Sequence, residues 1–119
     1  MRYIINIIFA AIALLFLTVV AQADTIPPKD ALANLGTTAT VEGVVSQVST
    51  IKSGNTFINF GGRHPNHSFY GSIFGSDANK FGNVNGLEGK TVSINGKIEL
   101  HKGKPQIILR DRNQIKLVQ

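Results

Sequence analysis

From Thr91 to Leu100 the chain alternates with a period of two. Val92, Ile94, Ile98 and Leu100 fall on one side; Thr91, Ser93, Asn95, Lys97 and Glu99 fall on the other. Successive side chains of a strand point to opposite faces, so this segment predicts a strand with one face buried and one solvated. A strand of that kind needs partners. The sequence supplies them in short segments rich in Val, Ile, Thr and Phe, punctuated by glycine. Thr38 to Thr50 predicts a long first strand with Val41, Gly43 and Val45 on one face. Thr56 to Phe60 is the second strand, residues 68–74 the third, 91–100 the fourth and 106–110 the fifth, with Ile115 and Leu117 extending or closing the sheet. Two short helices are expected, at 30–35 ahead of Gly36 and at 77–81 between the third and fourth strands.

Gly43 and Gly96 each interrupt an inward-facing row in the middle of a long strand. A missing side chain there permits the bend by which one strand passes from one side of a small barrel to the other. The expected fold is therefore all-β, a five-stranded barrel in 37–119, preceded by a lead-in and short helix in 24–36.

The first residues read differently. Residues 4–20 carry no charge, follow Arg2 and end in Ala21-Gln22-Ala23. A basic start, an apolar run and a small-x-small site describe a signal peptide spanning 1–23, cleaved before Asp24. Retention as a membrane anchor is the alternative. Cleavage leaves 96 residues, and 11 of the 12 basic side chains then face 7 acidic ones, a formal charge of +4. That modest basic balance is compatible with an anionic partner. The absence of cysteine excludes disulfides, thiolate metal sites and a lipid-modified N-terminal cysteine. The expectation is a periplasmic or secreted protein with no stable membrane insertion after cleavage.

Several segments carry a resemblance. Val41-Glu-Gly-Val-Val with Thr56-Phe-Ile-Asn-Phe60 resembles the opening of OB-fold domains that bind tRNA anticodons and of helicase-type modules related to them. Phe57-Ile-Asn-Phe-Gly61 with Pro65-Asn66, Leu87-Glu-Gly-Lys-Thr-Val92 and Gly96-Lys-Ile-Glu-Leu100 resemble small exported bacterial single-domain OB proteins. The resemblance covers Ala31 to Leu117. It implies a five-stranded Greek-key OB barrel whose second and third strands present a surface for single-stranded nucleic acid. It also implies that Phe57, at the start of the motif, stacks on a base.

The residues fit such a surface. All six aromatic side chains after the apolar run lie between Phe57 and Phe81. If Ile58 and Phe60 point inward, Phe57 and Asn59 point outward. If Phe69, Gly71 and Ile73 point inward, Tyr70, Ser72 and Phe74 point outward. Arg63, Lys97, His101, Lys102, Lys104 and Arg110 supply positive charge beside those rings. His64 and His67 are three apart, but Pro65 lies between them and no third ligand is near, so they read as a surface loop with no metal. The seven carboxylates are dispersed and no nucleophile motif is present. The chain therefore reads as a non-enzymatic binder without cofactor. Its first expected ligand is single-stranded DNA or RNA. The alternative is an envelope module that takes a small molecule, a glycan or a partner protein through the same face.

Overall fold

The computed structural model describes residues 25–118; the apolar run and its expected cleavage site lie outside them. The described residues form eight strands: β1 (Thr25–Ile26), β2 (Thr38–Thr50), β3 (Thr56–Phe60), β4 (Phe69–Ile73), β5 (Thr91–Lys97), β6 (Glu99–His101), β7 (Lys104–Ile108) and β8 (Ile115–Leu117). Short 3-10 turns occupy Pro28–Asn34, Gly75–Lys80, Val84–Leu87 and Arg112–Gln114. The first begins earlier than expected, at Pro28, because a proline in the first helical position gives up an N–H that would have no partner there.

The strands make one mixed sheet in the order β6-β7-β4-β3-β2-β5-β8, with β1 added in parallel to β2. β4 and β7 are parallel and the remaining pairs on the path are antiparallel. The expected all-β fold forms, but as eight strands in an unclosed ladder path rather than five: the expected fourth strand divides into β5 and β6, the expected closing segment at Ile115 and Leu117 is β8, and β1 is added. The chain changes partner at Ile98. Its N–H donates to the carbonyl of Thr37 and its carbonyl accepts from the N–H of Gly36, which continues the β2–β5 ladder by one step; from Glu99 the chain pairs with β7 instead. Leu100, expected inward, is 57% exposed beside the hairpin turn.

Inward rows of β2, β3, β4, β5 and β7 meet in one core that includes Val41, Val45, Ile58, Phe60, Phe69, Ile73, Val92, Ile94, Ile107 and Leu109. The two inward glycines belong to it for steric reasons. A Cβ on Gly43 would stand 2.6 Å from Pro28 Cγ, and one on Gly96 would stand 2.6 Å from Ile107 Cγ2. Each absent methyl therefore admits a neighbouring segment onto the strand.

β2 changes partner part-way along. It pairs with β5 up to Val44 and with β3 from Val45, and its register slips between Val45 and Gln47. The extra residue, Ser46, accepts a hydrogen bond from the N–H of Gly62 at 3.0 Å. A bulge re-aims the side chains that follow it. Here it turns Gln47 to the outer face and Val48 to the inner.

Candidate nucleic-acid interface

The outer face of β2, β3, β4 and β7 is built from two cross-strand rows. Register aligns Gln47 with Asn59, Asn59 with Tyr70, Tyr70 with Gln106, and Gln106 with Glu99. The next row runs Ser49, Phe57, Ser72 and Ile108. Alternation thus assigned Phe57, Asn59, Tyr70 and Ser72 to the correct face.

That face is not open, however. Asn59, Tyr70, Ser72 and Gln106 are all buried, with Tyr70 only 6% exposed. Burial is tolerated because the polar groups satisfy one another. Asn59 Nδ2 donates to Gln47 Oε1 at 3.1 Å, and the same oxygen accepts the backbone N–H of His64 at 2.8 Å. Ser72 Oγ donates to Gln106 Oε1 at 3.0 Å. Phe57, half-buried, meets Tyr70 edge-on with ring centroids 5.9 Å apart. Tyr70 is therefore a brace beneath Phe57 rather than a second exposed ring, and its burial raises the phenol pKa above the ordinary value.

The loop after β3 covers the near end of this face. His67, expected on a surface loop, is 6% exposed. Its ring lies 5.3 Å from that of Tyr70 and 5.6 Å from that of His64. Lys104 Nζ donates to its carbonyl at 2.7 Å, which ties the loop to β7. Nδ1 of His67 is buried without a hydrogen-bond partner. Burial first, then the charges of Lys104 and His64, push the imidazole pKa below its ordinary value.

The basic residues separate by position. His101 pairs with Lys104 across the β6–β7 turn, which Lys102 and Gly103 close with φ of 51° and 81°. Arg63 is exposed in the covering loop, so Arg63, His101, Lys102 and Lys104 gather at one end of the face. Arg110 is exposed just past β7 at the opposite end, where Lys80 Nζ reaches its carbonyl at 3.4 Å. Lys97 is not part of this group. It closes β5 opposite Thr38, two residues before Glu99 and away from the hairpin turn at Lys102 and Gly103. Phe74 does not extend the third strand either: it follows β4 and heads the turn Gly75–Lys80, 39% exposed. Among the described residues no group of three His, Asp or Glu converges as a metal site.

Gln47 and His67 are the contributors that sequence reasoning missed. The period of two places Gln47 inward with Val41, Gly43 and Val45, and only the bulge reverses it. Nothing in the sequence of the loop signals that it folds back over the sheet.

No protein-family profile matches the chain, and no curated protein does. Solved structures are similar in fold, 28 chains in all. One is a chain described as a putative aspartyl-tRNA synthetase from Leishmania major Friedlin, with a TM-score of 0.53 and 11% identity over 82% of this chain. The likeness spans 21% of the synthetase chain. At that identity it speaks to the fold alone, which is a mostly β architecture shared with part of a larger protein.

Proposed function

We propose that the chain is an exported, non-enzymatic OB-type barrel protein that binds single-stranded nucleic acid along the outside of β3, β4 and β7, through half-buried Phe57 and the basic residues that flank the buried polar layer. The barrel reading is supported by strand order. Only Ile98 separates β5 from β6, so β2, β3, β4, β7 and the β6–β5 segment follow one another as five stretches around a common core. The likeness to part of a tRNA synthetase agrees with it, as does the resemblance of the Phe57–Gly61 segment to anticodon-binding domains.

The observation that carries the ligand reading is Phe57 itself. Its ring stands at the edge of a rigid polar layer, braced by Tyr70, with cationic side chains at both ends of the face. A ring held in place loses little freedom when a base stacks on it, and such a stack contributes about 1–3 kcal/mol. Arg63, Lys102 and Lys104 at one end and Arg110 at the other supply phosphate contacts that act on any sequence.

Titration of a fluorescent oligonucleotide of about ten nucleotides tests this. Log K falls as log salt rises, and Arg63→Gln with Lys102→Gln makes the slope shallower by about one for each phosphate no longer neutralised. No binding to DNA or RNA at low salt removes nucleic acid as the ligand class. Export is supported by the apolar residues 4–20 and Ala21-Gln22-Ala23. Its test is the intact mass of protein recovered outside the cytoplasm, which begins at Asp24; full-length chain in the membrane fraction refutes it.

A further inference from the structure

A second concave site lies on the inner side of the sheet, beside the turn that carries the Asp77–Lys80 ion pair. Between the turn Gly75–Lys80, the turn Val84–Leu87 and the far ends of β2 and β3 is a cavity of about 240 Å³. Its floor is buried and includes Ile73 and Thr56, with Phe81 at 9% exposure; its rim is exposed and includes Thr50, Asn83 and Asn85. No ionisable side chain lines it.

The polar groups here have spare capacity. Thr50 Oγ1 and Thr56 Oγ1 lie 2.8 Å apart, and either is the donor. Two hydroxyls carry two hydrogens, and their mutual bond uses one. The second hydrogen remains available to an acceptor in the cavity. Asn83 caps the turn Val84–Leu87 without a side-chain capping bond, so its carboxamide keeps both a donor group and an acceptor. Asn85 brings the same pair of functions to the rim.

We infer that this cavity binds a small neutral, polyhydroxylated ring, of the size of one monosaccharide or cyclitol. The volume argues for a small occupant, since pockets for drug-sized ligands run about 300–1,000 Å³. Uncharged walls argue against phosphate or carboxylate, because an ion moved there exchanges its hydration for no opposite charge. Hydroxyl and carboxamide groups above an apolar floor match a molecule with polar edges and C–H faces. Such binding is independent of nucleic-acid binding, which uses the opposite side of β3 and β4.

The test is a titration of the ¹⁵N-labelled full-length protein with D-glucose, D-galactose and myo-inositol, each followed by amide chemical shifts. At least one produces saturable shifts at Thr56, Ala78, Asn83 and Asn85 while the Phe57 and Gln106 amides stay still. Asn83→Ala, on the exposed rim, weakens that binding about tenfold or more and leaves the melting temperature unchanged. Thr56→Val removes the hydroxyl pair and abolishes binding; the rim variant keeps the question open to measurement if this buried change unfolds the domain. Glucose 6-phosphate binds more weakly than glucose. Absence of saturable shifts with all three probes overturns the inference. So does equal binding by the wild type and Asn83→Ala, or tighter binding of the phosphorylated sugar.

Discussion

β5 and β4 are both central strands, yet they treat their two faces differently. β5 alternates between buried Val92 and Ile94 and the more exposed Thr91, Ser93 and Asn95, as a strand with one wet face does. On β4 all five residues, Phe69 to Ile73, are buried. Its inner face packs into an apolar core; its outer face is closed by Phe57, Gln47, Gln106 and the covering loop. Burial on β5 reports the core. Burial on the outer face of β4 reports something else, a polar layer whose members are held in place before any ligand arrives.

Three substitutions, ranked by one set of chemical melts, break this contrast in graded fashion. Phe60→Ala is the largest. The ring is fully buried against Phe69, and its loss leaves a core cavity costing about 3–5 kcal/mol. Gln47→Leu comes next. It leaves Asn59 Nδ2 and the His64 N–H without their shared acceptor, a cost of about 1–3 kcal/mol. Phe57→Ala is smallest, about 1 kcal/mol from removal of the edge-on packing with Tyr70. In oligonucleotide binding the order changes, and Phe57→Ala weakens a complex of the intact fold by about 1–3 kcal/mol. If Phe57→Ala proves more destabilising than Phe60→Ala, the division of β3 into two faces is wrong.

The bounds of β2 and β3, and the inward or outward sense of β3 and β4, were legible in the sequence because these follow from a period of two. The reach of the fourth strand was not. Its alternation continues to Leu100, but the chain exchanges β2 for β7 as its partner around Ile98, and local pattern carries no record of which strand lies alongside. The candidate face was half legible. Phe57, Asn59 and Tyr70 were found by parity, whereas their burial depends on a loop whose docking rests on Lys104 and on a bulge at Ser46. Charge found by composition has to be placed by register before it is assigned to a site.

The smallest expected effect concerns pH, and it separates the two faces of β4 without removing any atom. The apolar core on the inner face contains no titratable group, so its stability does not move between pH 7.5 and 5.5. The outer face contains His67, packed against the rings of Tyr70 and His64, with Lys104 bonded to its carbonyl. Burial and the two neighbouring cations lower its pKa from the ordinary 6.5. The sign follows from proton counting. Above pH 6.5 the imidazole is neutral in folded and unfolded chains alike, and its full contribution is present. As pH falls below 6.5 the unfolded chain takes up the proton first, so stability declines until the folded value is passed. The urea midpoint of the wild type therefore decreases from pH 7.5 to 5.5, a range above most carboxylate titration. His67→Phe keeps a ring between Tyr70 and His64 but has no proton to gain, and its midpoint changes less over the same range. Equal slopes for the two proteins would mean that the loop opens freely in the folded state. The polar layer would then be covered only intermittently, and the distinction drawn between β4 and β5 would lose its basis.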